Sequence, residues 1–236
     1  DGNNFSRFRK DAFGSGIKYT TEIGPCVIIS ADVSHERLIS SFIPNNKIAS
    51  TDAIDVEILH RRTLIHYPSR FLAIVDEIES PDEHEYIQWN HIAPGLQVRQ
   101  YTPDKFGIHD SEENVVCRIF NLGNTETDLN PIEVQGQSQP HLQGWFSKEG
   151  RELIKNSALG FSSFGKTSRC VTVIDTKVGR TGDPYFRTGS NGAYKRFALT
   201  QDGNKSDFKF RTNSEGTLTI EAVIDGEEFT VIIDNK

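Results

Sequence analysis

Residues 56–95 read VEILHRRTLIHYPSRFLAIVDEIESPDEHEYIQWNHIAPG. Two runs rich in β-branched and aliphatic residues, Val56 to Tyr67 and Arg70 to Ile78, flank Pro68 and Ser69, and this pattern predicts an antiparallel hairpin. An even-numbered loop sets Leu59 against Ile78, Arg61 against Asp76, Thr63 against Ile74 and Ile65 against Leu72. One face then carries apolar pairs interrupted by a single opposite-charge pair, Arg61 with Asp76, which is favourable across antiparallel strands. The other face holds Ile58, His60, Arg62, Leu64 and His66 against Ala73, Val75 and Glu77, a mixture suited to a broad sheet partly covered on both sides.

Outward from this hairpin the same texture repeats. CVIISADV, EYIQWNHI, LQVRQYT, NVVCRIFNL, CVTVIDTK, FKFRTN, TLTIEAVID and EFTVIID are short strand-like runs. They are separated by turn-forming clusters such as SPDE, APG, LGNTE, DGNK, NSEG and DGEE. The fold class that follows is all-β: one large antiparallel β-sandwich of two or more stacked sheets spanning residues 1–236, with little helix. Asp225-Gly226 between two alternating runs marks the clearest tight hairpin. GRELIKNSALG (150–160) carries the only helical pattern, and the polar stretch 178–196 reads as a long loop.

A chain of 236 residues can bury a sizeable core without disulfide or metal, so stability demands no cofactor. Its formal charge of −7 and pI near 5.5 argue against a nucleic-acid footprint, which needs a clustered positive field. No apolar run approaches the roughly 18 residues of a membrane span, and DGNNFSRFRK at the start has no hydrophobic signal core. Methionine is absent, which fits a processed or excised segment. Cys26, Cys117 and Cys170 sit in apolar strand-like settings without C-x-x-C spacing, as expected of buried reduced thiols, with a single disulfide as the alternative.

The candidate site residues fall into two groups. His60, Asp76 and His91 are ligand types that zinc uses, set against the alternative of histidines satisfied within a sheet; His35 and His84 read as solvated, and His109, next to Asp110, gives no better signal. Trp145 and Trp89 can stack on sugar rings, and Arg61, Arg62 and Arg99 can pair with carboxylate or sulfate through the planar guanidinium. Of these, Trp145, Arg62 and Arg99 are the substrate-binding candidates, while Arg61 is already assigned to Asp76.

The stretch HRRTLIHYPSRFLAIVDEIESPDEHEYIQWNHIAPGLQV (60–98) resembles the H-x-R…D…H…P-G block of the heparinase II/III-like polysaccharide lyases. HLQGWFSKEGRELIKNSALGFSSFGKTSRCVTVI (141–174) resembles a later segment of that family, and the likeness covers roughly residues 50 to 175. It implies that the chain is the β-sandwich part of a longer protein whose N-terminal α/α toroid lies outside it. It also implies that the parent protein cleaves acidic polysaccharide by β-elimination in a periplasmic, secreted or cell-surface setting. That chemistry needs a group to neutralise the uronate carboxylate, a base for the C5 proton and an acid for the leaving oxygen. The family draws these from the toroid and from an H-x-H-x-D segment, neither of which this sequence contains, so no catalytic residue is assigned. Two functions are expected as alternatives. One is a non-catalytic module walling an acidic-polysaccharide cleft against the toroid, and the other is a free-standing carbohydrate-binding or cell-surface interaction domain.

Overall fold

The structure, a computed structural model, describes residues 16–33, 58–122, 130–139, 142–148, 152–176, 185–188 and 194–234, together with short strands at 4–5, 37–39 and 53–55. Every regular element among them is a strand, and no helix is long and apolar enough to cross a membrane. The largest sheet has nine strands. Its path is β2 (Gly16–Ile23), β3 (Cys26–Val33), β6 (Leu59–Tyr67), β7 (Phe71–His91), β14 (Ser157–Asp175), β10 (Val115–Leu122), β9 (Lys105–His109) and β8 (Gln97–Thr102), with β11 (Asn130–Gln135) added on β14. A five-stranded sheet runs in chain order through β15 (Tyr185–Thr188), β16 (Lys195–Gln201), β17 (Asn204–Thr212), β18 (Leu218–Ile224) and β19 (Glu227–Ile233). β1 (Asn4–Phe5), β4 (Arg37–Ile39) and β5 (Ala53–Asp55) form a small sheet, and β12 (Trp145–Lys148) with β13 (Glu152–Lys155) form a two-stranded one.

The antiparallel sandwich expected from the sequence is what forms, and the β18–β19 turn is built on Asp225 and Gly226 at φ 53° and 92°. Three local expectations are corrected. The helical pattern at 150–160 forms β13 and the start of β14 instead, because each half finds an antiparallel partner and packing overrides propensity. SPDE does not end a strand but lies within β7. Within the polar stretch 178–196, Tyr185–Thr188 pairs with β16; most of the remainder, like His35, lies outside the described residues.

The opening hairpin forms, but one register away from expectation. Arg70 N–H donates to the Tyr67 carbonyl at 3.1 Å, with Pro68 and then Ser69 at φ 61° between them, the proline-then-positive-φ order of a type II turn. Tyr67 stands opposite Phe71, so the loop has an odd number of residues. Leu59 therefore faces Glu79, Arg61 faces Glu77, Arg62 faces Asp76, Thr63 faces Val75 and Ile65 faces Ala73. A slip of one residue exchanges the two faces of a strand. The expected Arg61–Asp76 pair is thereby replaced by Arg62–Asp76 on the opposite face.

The inward row, Thr63, Ile65 and Tyr67 against Val75, Ala73 and Phe71, packs on Phe197, Leu199, Phe208, Leu218 and Ile220 of the five-stranded sheet. Phe71 is the pivot, with ring centroids 5.7 Å from Phe197 and 5.9 Å from Phe208, both edge-on. Full burial of one such ring contributes about 2–3 kcal/mol. Charged residues close the ends of this layer. Arg61 donates to Asp32 at 3.0 Å and to the Gly216 carbonyl at 2.7 Å, and Thr212 donates to Glu77. At the other end Gln201 donates to Asp175 at 2.8 Å, so polar contacts link the two sheets at both rims.

β7 and β14 are too long to stay flat. Their ladder runs Phe71–Glu79 against Thr167–Asp175, and resumes as His84–His91 against Ala158–Gly165. Between these, Ser80 to Glu83 face Lys166 alone. Pro81 has no N–H to offer a ladder, and Gly165 at φ +139° permits the kink. Gln88 nevertheless donates to Asp76 at 2.5 Å, although a straight strand would hold residues this far apart by about 40 Å. The ribbon therefore folds back over its own sheet. Phe161, Leu159 and Ile92 from the returning half meet Ile119, Ile174, Phe106 and Ile108 in a second small core, so the sandwich has a third layer.

The three cysteines are free, Cys26 and Cys170 buried and Cys117 half-buried. Burial pushes their thiols up to about 12, 12 and 11 respectively, which suppresses the reactive thiolate at neutral pH. Labelling with a thiol reagent at pH 7.5 is expected to be slow, with Cys117 modified first, and to count three sites at once after denaturation without reductant. Fewer than three would contradict the free thiols described here.

Candidate functional site

The crease between the folded halves of the nine-stranded sheet gathers four polar residues of the opening stretch, His60, Arg62, Asp76 and Gln88. Asp76 is its centre and is nearly buried, at 3 % exposure. Arg62, directly across the ladder, grips it with both arms of the guanidinium, Nε to Oδ1 at 2.7 Å and Nη2 to Oδ2 at 2.8 Å. His60, two residues back on the same face of β6, places Nε2 3.1 Å from Oδ1. Gln88, from the returning half, completes the set on Oδ2.

Burial alone would raise the Asp76 carboxyl, but the hydrogen bonds from His60 and Arg62 and the Arg62 charge hold it well below the usual carboxylate range. It is thus a carboxylate and only accepts, which requires His60 Nε2 to carry a hydrogen and donate. Each carboxylate oxygen then has two donors, the full capacity of about four acceptor sites. The network continues outward: Thr172 donates to Gln88 Oε1 at 2.5 Å, and Asn121 donates to Thr172 at 2.6 Å. Asn121 Oδ1, at the start of the chain, has no partner among the described residues.

Next to this network lies a cavity of about 60 Å³ lined by His60, Arg62, Tyr86, Ser163, Ser168 and Cys170. Ser163 and Ser168, hydrogen-bonded to one another at 2.6 Å, bridge the two sides of the crease on β14. What the arrangement does chemically is hold a charge in place. Asp76 has no lone pair left to take a proton or bind a cation without giving up one of its donors.

The candidates read from the sequence are not brought together. His91 is exposed at the far end of β7, paired with Ala158, so His60, Asp76 and His91 form no ligand set, and no group of three metal-binding side chains occurs among the described residues. The fold-back joins Asp76 to Gln88 but leaves His91 beyond the contact. Arg99 lies on β8, with β7, β14, β10 and β9 between it and Arg62 in the sheet, and donates to Glu113 at 3.0 Å in an exposed pair. Trp145 stands on β12, its indole N–H donating to the Gln137 carbonyl at 2.8 Å. Trp89 lies across Gly160, where a Cβ would meet its ring at 2.9 Å, and so serves packing.

Gln88, Asn121 and Thr172 were invisible as site residues, because only the fold-back makes them neighbours. His109, which carries no site signal in the sequence, is buried. Its Nε2 lies 2.8 Å from the Tyr101 hydroxyl and its Nδ1 3.0 Å from the Glu113 carbonyl.

Comparison of the structure with solved proteins shows which fold this is. It superposes on the crystal structure of heparinase III with a TM-score of 0.53 and 14% identity, over 93% of this chain and 27% of that one. The fold is that of part of heparinase III. The heparan sulfate lyase HepC from Pedobacter heparinus matches equally, with a TM-score of 0.53, 10% identity, and 93% and 28% of the two chains covered. The chain thus spans little more than a quarter of the length of the heparinase III structures it matches. No protein-family model and no curated protein matches it by sequence.

Asp76→Ala strips the acceptor from Arg62, His60 and Gln88 together. It is expected to cost about 3 kcal/mol, the low end for a broken buried pair because half-exposed Arg62 can rehydrate. Because the Asp76 carboxyl is depressed in the folded state, its contribution is complete above the unfolded value of about 4 and is lost as pH falls below it. Urea unfolding between pH 7 and 2.5 should show stability falling in that acid range for the wild type and a flatter dependence for Asp76→Asn. Identical slopes would remove Asp76 from the role assigned to it.

Proposed function

We propose that this chain is a non-catalytic β-sandwich module of an acidic-polysaccharide lyase, packed in its parent protein against an α/α toroid and forming one wall of the glycan cleft. The observation that carries the proposal is the match to heparinase III across 93% of the chain. The state of the polar residues supports it. β-Elimination requires a neutraliser for the uronate and groups free to take and give protons, whereas the Asp76 carboxylate already has its acceptor sites filled by Arg62, His60 and Gln88. Substrate contact then falls to Trp145, with Arg62 and Arg99 reaching an acidic sugar only by sharing guanidiniums that already serve Asp76 and Glu113.

Incubating the purified chain with heparan sulfate, hyaluronan and alginate, while following the absorbance of the unsaturated uronate, is expected to show no product. In native gels containing the same glycans its migration should be retarded relative to a neutral-glycan gel. Steady product formation would place an active site within these residues. Unchanged migration in all three acidic glycans would remove the cleft-wall role.

A further inference from the structure

The knot where β11, β12 and β13 meet has features the crease lacks. Two glycines at positive φ, Gly136 at 60° and Gly144 at 69°, let three backbones converge. A Cβ on Gly144 would meet the carbonyl oxygens of Asn156 and Val134 at 2.8 Å, and the Gly144 carbonyl accepts from both Gly136 and Asn156, at 2.8 and 2.9 Å. Across this knot Gln137 and Gln143 form a reciprocal bridge, and the hydrogen bond from Trp145 to the Gln137 carbonyl fixes the indole by its edge. The ring remains part-exposed, with its orientation set before any partner arrives.

Lys155 stands directly opposite Trp145 in the β12–β13 ladder, so both side chains lie on one face. Its stem runs over Gly136, where a Cβ would meet Lys155 Cγ at 2.6 Å. The side chain is exposed, and no carboxylate among the described residues is in ion-pair contact with it. This separates it from Arg62 and Arg99, both already held by acids. Ser147 and Leu153 form the next pair along the same face, Leu153 being 52% exposed. An isolated two-stranded hairpin is marginal in water, yet this one displays an indole held by its edge, an aliphatic side chain, a hydroxyl and a cation with no carboxylate partner among the described residues.

We infer that the Trp145–Lys155 face of the β12–β13 hairpin binds an acidic oligosaccharide. The indole stacks on the apolar C–H face of one sugar ring, and the Lys155 ammonium pairs with the carboxylate or sulfate of that ring or the next. The complementarity is one of shape and charge: a pinned aromatic surface loses little freedom on binding, and a cation paired with no carboxylate among the described residues gives up no salt bridge to them. This rests on the proposed glycan role and names the surface and residues that perform it.

The test is a fluorescence titration of the whole chain with a heparan sulfate octasaccharide, and with a neutral cello-oligosaccharide for comparison. The chain has only two tryptophans, so Trp145→Phe also reports which one responds. The wild type is expected to bind the acidic ligand with a change in emission. Trp145→Ala should weaken binding about tenfold, and Trp145→Phe, which keeps an aromatic face, only about two- to threefold. Lys155→Gln should abolish most of the preference for acidic over neutral ligand. Melting temperatures of the three variants separate lost binding from lost structure. Binding unchanged in a folded Trp145→Ala overturns this inference alone and leaves the cleft-wall role standing on another surface. No binding of any acidic glycan by the wild type overturns both.

Discussion

The fold depends on keeping one buried carboxylate satisfied. Asp76 is almost inaccessible to water, and an unpaired charge in such a place costs several kcal/mol. Two of its donors, Arg62 and His60, come from the adjoining strand and would be present in a flat sheet. The fourth hydrogen bond comes from Gln88, and it exists only because the β7–β14 ribbon doubles back. Local pairing and long-range topology therefore meet on the same two oxygen atoms. The small core formed by Phe161, Leu159, Ile119 and Ile174 supplies the apolar burial that makes folding back favourable. The carboxylate supplies the direction, since Gln88 can reach it in one registration of the returning half.

This division of labour also explains why the crease is a poor place for chemistry. Groups able to move protons need spare hydrogen-bonding capacity and changing partners, and the carboxylate at the centre of the crease has its acceptor sites taken. The part-exposed residues free of such commitments lie elsewhere, on a hairpin whose backbone is held by glycines rather than by charges. A module of this kind can be stiff at its centre and adaptable at its rim without conflict.

Much of the architecture was legible from residue order. Alternation in the strand-like runs, turn residues between them and Asp225-Gly226 gave the sandwich and its terminal hairpin. The likeness of residues 60–98 and 141–174 to heparinase-type sequences agrees with the fold that the comparison finds. What could not be read was what depends on distance. Pro68-Ser69 looks equally natural in loops of two, three or four residues, and only the backbone at Ser69 reveals the odd count. SPDE resembles a strand boundary, because a proline-containing kink inside a long strand and a turn between two short ones use the same residues. Gln88 and Lys155 carry no signal in sequence, since an amide acquires a role only when a carboxylate arrives from the same strand, and a lysine only when its neighbours prove not to be acids.

The three-residue loop at Pro68, Ser69 and Arg70 has a consequence for how this chain can vary. Were the hairpin closed by Tyr67 and Arg70 across a two-residue loop instead of by Tyr67 and Phe71, Arg61 would stand opposite Asp76, the pairing that the bare pattern of residues suggests. Such a closure would also turn His60 and Arg62 toward the layer of phenylalanines and expose Ile65 and Tyr67 on the other side. Within either strand, insertions or deletions of two residues preserve which side of the sheet each later position occupies, whereas single ones turn it to the other side. What is constrained here is thus which two residues close the hairpin, a property of counting rather than of any one side chain.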